Sequence, residues 1–146
     1  MHKTFYASGF LYCLPSQQIL LQQNNALGSY WSLFGQKGQN TQNPLSIFQK
    51  AISQQLHIKL ALGAIYPVYD YFKKEIGTNC YVFYAQINLK KEFHTRKDST
   101  REWFTFKQIS KLTFSDQIKQ DIIVGERVIK AKARVEETIT TNNIII

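Results

Sequence analysis

The segment spanning residues 44–57 constrains the fold of this chain more than any other, because its apolar residues lie on one side of a helix. They recur at spacings of three and four: Leu45, Phe48, Ile52 and Leu56. Pro44 suits the first turn of a helix, where its missing N–H would have no partner in any case. The segment is predicted to be an amphipathic helix whose apolar face packs against other elements.

Strand-like segments lie on both sides of this helix. They share apolar or aromatic residues between turn signals, and cover residues 5–14, 18–22, 61–72, 79–89 and 103–106. Pro15 and Ser16 form the turn between the first two, and residues 73–78 connect the next two. A helix set between strand pairs predicts an α+β domain.

The remaining segments are predicted to be loops and a final helix. Residues 35–43 are rich in Gly, Gln and Asn and are predicted to be a long loop, and residues 90–100 a charged, mobile one. Residues 107–111 are predicted to be a turn of helix. Ser115 can cap a last helix, which carries Ile118, Ile122 and Val128 on one face.

The length favours one domain, placed at residues 1–137, with a C-terminal tail at 138–146. The tail ends in Ile144, Ile145 and Ile146, whereas chain ends are usually polar. These isoleucines are predicted to pack within the chain or in a homodimer. A structural or assembly module is a further interpretation of the same feature.

The charge distribution points to anionic partners. The formal net charge is +8, and no Asp or Glu occurs from Met1 to Tyr69, where glutamine is abundant. A basic chain favours a nucleotide or other anionic small molecule, RNA, or an acidic protein surface. The glutamines themselves have two explanations: a mutational bias towards amides, or the loss of carboxylates from a site.

The two cysteines, Cys13 and Cys80, lie far apart without the spacing of a zinc site. They are predicted to be buried thiols in a reducing compartment. No apolar run has the length of a membrane span, and residues 5–14 suit a first strand better than a signal peptide. A cytoplasmic location and no membrane partner are therefore expected.

The order of elements resembles that of the Nudix (MutT-like) hydrolase superfamily over nearly the whole chain. Residues 31–35, Trp-Ser-Leu-Phe-Gly, resemble the family's Trp-x-Leu-Pro-Gly entry to its motif loop, and the helix follows at the family's distance. Glu102-Trp103-Phe104, with Ile109 and Leu112 behind them, resembles a segment that follows in the family. The resemblance implies an α/β/α sandwich with a mixed β-sheet between helices.

The family motif, Gly-x5-Glu-x7-Arg-Glu-U-x-Glu-Glu-x-Gly-U with U a bulky aliphatic residue, falls on residues 36–58 in this register. The aliphatic positions are kept at Ile52 and Ile58. The other motif positions are replaced: Gln36, Gln42, Lys50, Ala51, Gln54, Gln55 and His57. Of these, Lys50 keeps the positive charge of the family arginine. The segment therefore resembles a degenerate Nudix box.

The resemblance implies that the family's helix glutamates hold magnesium against a diphosphate and help to activate water. Positions 51, 54 and 55 are expected to share one helix face, where three carboxylates would form a compact cluster. Magnesium prefers anionic oxygen ligands, which Ala51 and the two glutamines do not provide. A general base also contributes on the order of 10²–10⁴ in rate. Hydrolysis is predicted to be lost, no cofactor is expected, and restoring the three glutamates is predicted to create magnesium affinity.

Some residues outside the helix are candidates for binding or chemistry. Lys37, Lys50 and Trp103 are candidate ligand-binding residues, with ordinary surface lysines and a core aromatic as the alternative interpretations. Phe104, Tyr66, Tyr69 and Tyr71 can stack a base or belong to the core. Glu102 is the candidate catalytic base, or else a surface carboxylate. His57 suits a helix end, and His94 lies in the charged loop.

A second function remains open from the sequence. A working hydrolase of nucleoside diphosphate-linked compounds could use a relocated site built from Glu102 with Asp70, Glu75 or Asp98. Such an enzyme would need magnesium. The first function, a Nudix-like domain that binds a nucleotide or another phosphorylated ligand without hydrolysing it, requires neither metal nor base.

Overall fold

Strand β1, Thr4–Cys13, is the central strand of the computed structural model, which describes residues 3–24, 30–91, 93 and 99–144, with side chains in the last helix up to residue 138. The other described strands are β2 Gln18–Asn24, β3 Trp31–Ser32, β4 Phe34–Gln39, β5 Ile65–Lys73, β6 Thr78–Ile87 and β7 Ser99–Thr105. The helices are α1 Pro44–Leu56, α2 Phe106–Ile109 and α3 Asp116–Ile144, with a 3-10 turn at Leu62–Ala64. The predicted elements are confirmed to within a few residues, apart from β4 and the end of α3.

The sheet is mixed. β1 runs parallel to β6 and antiparallel to β4 along its first half and to β2 along its second half. β5 lies outside β6, while β3 and β7 pair with β2. Gly9 of β1 pairs with Phe83 of β6, and a Cβ built on Gly9 would be 2.0 Å from the carbonyl oxygen of Phe83. Only glycine allows this approach.

The prediction of a loop over residues 35–43 is wrong for its first half. Phe34–Gln39 forms β4, and its residues pair with β1 so that Gly35 lies opposite Ser8 and Gly38 opposite Phe5. A Cβ on Gly38 would be 2.4 Å from the Phe5 ring. These glycines therefore permit close packing rather than a turn, which is the other use of glycine in a strand.

Each face of the sheet carries a helix, because successive side chains of β1 point to opposite faces. Phe5, Ala7 and Leu11 pack towards α1 with Phe48 and Ile52. The intervening Phe10 and Tyr12 pack on the other side with Ile122 and Ile129 of α3. The predicted sandwich, a mixed sheet between helices, is confirmed.

The ends of α1 follow from its flanking residues. The side chain of Asn43 accepts a hydrogen bond from the Leu45 N–H at 2.9 Å and caps the start. His57 takes a left-handed conformation with φ of 57° and donates its N–H to Ser53 at 3.0 Å. His57 is therefore the C-terminal cap of α1, at the position where the family motif has glycine.

Helix α3 starts as predicted and ends later. The Ser115 hydroxyl accepts from the Ile118 N–H at 3.4 Å, next to the helix start at Asp116. The helix continues across residue 138, where the sequence placed the start of a tail, and reaches Ile144. Ile145 and Ile146 lie outside the described residues, so the packing of the terminal isoleucines stays a prediction.

Two further observations concern the predicted environment of the chain. Cys13 and Cys80 are both buried and free, which confirms that they are buried thiols. Within the described residues, no helix combines the length and apolar character that a membrane crossing requires.

Candidate functional site

A cavity of about 720 Å³ lies between the start of α3 and the sheet face that α3 covers. Side chains from β1, β4, β5 and β6 form its floor, and side chains from the first turns of α3 form its roof. Its volume is within the range of small-molecule sites. It is the candidate functional site.

A single row of side chains crosses the floor on four adjacent strands. Tyr6 lies opposite Lys37 on one side and Cys80 on the other, and Cys80 lies opposite Tyr71. With strands spaced about 4.8 Å apart, the row is roughly 14 Å long. Lys73 lies two residues beyond Tyr71 on β5 and also lines the cavity. The floor therefore offers aromatic surface with two exposed ammonium groups at its margins.

The roof is polar and centred on Asp121, which is only 3% exposed. The Tyr69 hydroxyl donates to its Oδ1 at 2.6 Å, and the Gln117 amide donates to the same oxygen at 2.9 Å. The Gln117 amide also donates to the Tyr69 hydroxyl oxygen at 3.1 Å. The three side chains form a closed triangle that holds the carboxylate against the cavity.

Burial raises the pKa of Asp121 above its usual value, although the hydrogen bonds from Tyr69 and Gln117 and the nearby Lys73 charge act in the opposite direction. The pKa of Tyr69 is also raised, first by burial and then by its hydrogen bond to Asp121. Burial is likewise the largest cause of the raised pKa of Tyr71. Additional negative charge is therefore disfavoured around Asp121 and the two tyrosines.

Because the pKa of Asp121 is raised on folding, its ionisation opposes folding increasingly as pH rises above the unfolded value of 3.8. Asp121→Asn keeps an oxygen that can accept from Tyr69 and Gln117 but has no charge. The stability of this variant relative to the wild type is therefore expected to increase between about pH 4 and about pH 7. Urea unfolding of both proteins at the two pH values measures it. A relative stability that falls with pH would show that the hydrogen bonds outweigh burial.

The motif positions on α1 lie on the other face of the sheet. Positions 51, 54 and 55 follow one side of the helix, but along it Ala51 is fully buried while Gln54 is exposed. The helix is rotated so that position 51 points into the packed interface with the sheet. Gln55 is half-buried, and its Nε2 donates to the Gly35 carbonyl oxygen at 3.0 Å. This hydrogen bond joins α1 to β4, and both of its groups are neutral.

The other motif positions have structural surroundings. The side-chain oxygen of Gln42 accepts from the Gln39 N–H at 2.8 Å in the turn before α1. Gln36 is half-buried on β4, and Lys50 is exposed on α1. Of the candidate ligand-binding residues, only Lys37 lines the large cavity, and Lys50 and Trp103 do not.

The candidate base, Glu102, lies neither in the large cavity nor beside the motif positions on α1. Glu102 is exposed and lines a smaller cavity of about 350 Å³ with Gln18, Lys90 and Trp103. The Trp103 indole N–H donates to the Lys91 carbonyl oxygen at 2.7 Å. Glu102 therefore does not share a cavity with Gln54 or Gln55.

Two of the carboxylates suggested for a relocated hydrolase site, Asp70 and Glu75, do not converge on Glu102. Asp70 lies on β5 and Glu75 in the turn after it, at the opposite edge of the sheet from β7. Asp98 and His94 lie outside the described residues. Within the residues that the structure describes, no group of three or more His, Cys, Asp or Glu side chains is arranged to hold a metal ion.

Sequence reasoning missed Asp121, Gln117 and Lys73 as site residues. One signal was present, because Asp121 directly precedes Ile122 and follows Ile118 by three residues. It is therefore a carboxylate on the apolar side of its helix. Such a position is exceptional for Asp and marks a buried charge with partners.

The comparison with known proteins identifies the fold of this chain. No family model matches the chain, and neither does any curated protein. Solved structures do match. The NUDIX domain of Shewanella oneidensis NrtR, complexed with ADP ribose, has a TM-score of 0.63 and 15% identity over 86% of each chain. A C. elegans Ap4A hydrolase, in a binary complex, has a TM-score of 0.63 and 10% identity over 88% of this chain and 98% of that one.

A third structure shows the same likeness over part of a larger protein. The MutT/nudix family protein from Enterococcus faecalis has a TM-score of 0.55 and 15% identity over 70% of this chain. The match covers only 43% of that protein. The chain has the Nudix fold, as its sequence predicted.

Proposed function

We propose that this chain is a Nudix-fold domain that binds a nucleotide or another phosphorylated ligand in the large cavity without hydrolysing it. The observation that carries the proposal is the pair of ammonium groups, Lys37 and Lys73, at the margins of an aromatic floor. Lysine is a common phosphate ligand in proteins, and Tyr6 and Tyr71 provide rings on which a base can stack.

The surroundings of α1 support the loss of hydrolysis. Gln55 donates a hydrogen bond through its Nε2 to the Gly35 carbonyl oxygen, and as a neutral amide it offers a cation no negative charge. Ala51 contributes no ligand and is buried. A hard divalent ion requires oxygen ligands with more negative charge than this surface offers.

The structural neighbours support a ligand with adenosine-like and phosphate groups. One is complexed with ADP ribose, and another is an Ap4A hydrolase. Both ligands join a base to phosphates. For the present chain a ligand of this chemistry is part of the proposal, as is a cytoplasmic location, which the two free cysteines favour. RNA binding and a homodimer stay predictions.

Removing either cavity lysine is expected to weaken nucleotide binding roughly tenfold, because a hydrogen bond to a charged group contributes about 1.5 kcal/mol or more. Calorimetric titration of Lys37→Ala and Lys73→Ala with ADP, GDP and ADP-ribose in EDTA measures this change. Lys74→Ala is the matched control, since Lys74 is exposed beside Lys73 but does not line the cavity. The proposal fails if no ligand binds, or if Lys74→Ala weakens binding as much as the cavity variants.

The absence of hydrolysis is tested separately. Formation of AMP or GMP from the same ligands is expected to stay at the uncatalysed level with magnesium or manganese. Turnover that Glu102→Gln abolishes would instead establish the alternative, a hydrolase with a relocated site.

A further inference from the structure

Two smaller cavities, of about 350 Å³ and about 290 Å³, adjoin each other at the Phe93 side chain, which lines both. Phe93 and Trp103, which lines the first, pack against the core cluster that contains α1 residues. The cavities therefore lie on the opposite sheet face from the large cavity. The pair is named the basic groove after the cations that line it: Lys59, Lys90, Lys91 and Arg101.

The basic groove carries an excess of positive charge. Lys59, Lys90 and Lys91 are exposed, and none of them forms an ion pair within the part of the chain that the structure describes. Lys90 donates from its Nζ to the neutral Oε1 of Gln18 at 3.0 Å, which leaves its charge uncompensated. Glu102 is the only carboxylate among the described residues that line the groove. Such a surface attracts a polyanion, because contact releases the counterions bound to it.

Two aromatic side chains lie among these cations. Trp103 and Phe93 are each half-buried and border the same cavity. The Trp103 indole N–H donates to the Lys91 carbonyl oxygen at 2.7 Å, which fixes the ring beside that lysine. Cations interleaved with rings are typical of sites for single-stranded nucleic acid, where phosphates contact the cations and bases stack on the rings. An acidic polypeptide has no base to stack.

We propose that the basic groove binds single-stranded nucleic acid, with phosphates on its lysines and a base stacked against Trp103. The strand passes on the side of the lysines, because Glu102 repels phosphates. This site is independent of the proposed function, since the groove and the large cavity share no lining residue among those described.

Fluorescence anisotropy of labelled oligouridine and oligothymidine of about 12 nucleotides measures the binding. The logarithm of the affinity is expected to fall with the logarithm of the salt concentration by about 0.7 per neutralised phosphate, which gives a slope between about −2 and −3 for the groove cations. Binding of either oligonucleotide supports the proposal, and their ratio reports whether the ribose hydroxyl contributes. If neither binds at low salt, the proposal is overturned.

Lys59→Ala and Lys91→Ala locate the site. Each is expected to weaken binding roughly fivefold at about 0.1 M salt and to reduce the slope by about 0.7, the effect of one lost phosphate contact. Lys74→Ala is the matched control, since it removes the same charge from an exposed position that lines neither cavity of the groove. If it weakens binding as much, net charge alone acts and the groove is not the site.

Trp103 reports on stacking in a Trp31→Phe protein, where it is the only tryptophan, because the chain has two. Trp31 packs in the core cluster of the opposite sheet face, away from the groove. Oligouridine is expected to quench the Trp103 emission. Polyglutamate of equal charge is expected to leave the emission unchanged and to bind at least tenfold more weakly. Polyglutamate binding as tight as that of oligouridine would instead assign the groove to an acidic protein.

Two further variants separate the groove from the large cavity and from net charge. Glu102→Gln removes the repulsion of phosphates and is expected to tighten oligonucleotide binding roughly two- to fivefold. Lys37→Ala, which changes the large cavity, is expected to weaken oligonucleotide binding no more than Lys74→Ala does. A larger loss in Lys37→Ala would place the oligonucleotide in the large cavity and contradict the proposal, whether or not nucleotides bind there.

Discussion

Ala51→Glu is expected to destabilise the domain by about 3–5 kcal/mol, the range found when a buried charge is left without a partner. Ala51 has no exposed surface, and α1 packs there against β4 and β1. A glutamate at this position must either enter the core or force the helix away from the sheet. Thermal and urea unfolding of the variant in EDTA measure the loss.

Gln54→Glu is the control for this substitution, since it adds the same carboxylate at an exposed position of the same helix. It is expected to change stability by less than about 0.5 kcal/mol. Equal effects of the two variants would show that position 51 is not buried in solution.

The triple variant, which adds Gln54→Glu and Gln55→Glu to Ala51→Glu, tests the predicted latent magnesium site. Millimolar magnesium is expected to raise its melting temperature, because an ion that binds only the folded state stabilises it. Gln54→Glu alone is expected to be unaffected. If magnesium leaves the triple variant unchanged, either the register of the motif on α1 or the expected loop around it is wrong.

Gly9→Ala is expected to cost at least about 3 kcal/mol, at the upper end of the range for overpacked cores. The new Cβ would be 2.0 Å from the Phe83 carbonyl oxygen and 2.9 Å from the Phe48 ring. Neither neighbour is the free end of a flexible side chain, so β1 and β6 must separate locally. The urea midpoint is expected to fall accordingly.

Gly63→Ala is the control for Gly9→Ala, because a Cβ at Gly63 would have no atom within 4 Å. Its unfolding midpoint is expected to stay near that of the wild type. A Gly9→Ala variant as stable as Gly63→Ala would contradict the close approach of β1 and β6.

Local patterns predicted most of the architecture. The spacing of apolar residues in α1 indicates which side of the helix is buried, and the apolar and aromatic run in β1 indicates a strand. Both signals extend over a few residues only. The residues that resemble the family then supplied the order of the layers. The β4 strand was missed because its glycines serve close packing against Phe5 and Tyr6, while the same residue type usually marks turns.

The cavity could not be derived in the same way. Lys37, Tyr6, Cys80 and Tyr71 come from four separate strands, and their row exists only because of the register between those strands. A shift of one residue in any pair would turn that strand's side chain to the opposite face. Asp121 joins the site through its hydrogen bond from Tyr69. Because Tyr69 lies far from Asp121 in sequence, local patterns do not predict this contact.

The outer strand β5 also affects how the molecule behaves at high concentration. The free edge of the last strand in a sheet is a template to which other chains can add, which leads to aggregation. Here the pairing of β5 with β6 is irregular between Pro67 and Tyr69, and Pro67 has no N–H to donate. Lys73 adds a charge at the end of the same strand. The irregular pairing therefore hinders other chains from adding to the outer edge of β5. A variant with a regular β5 strand is expected to aggregate at a lower protein concentration.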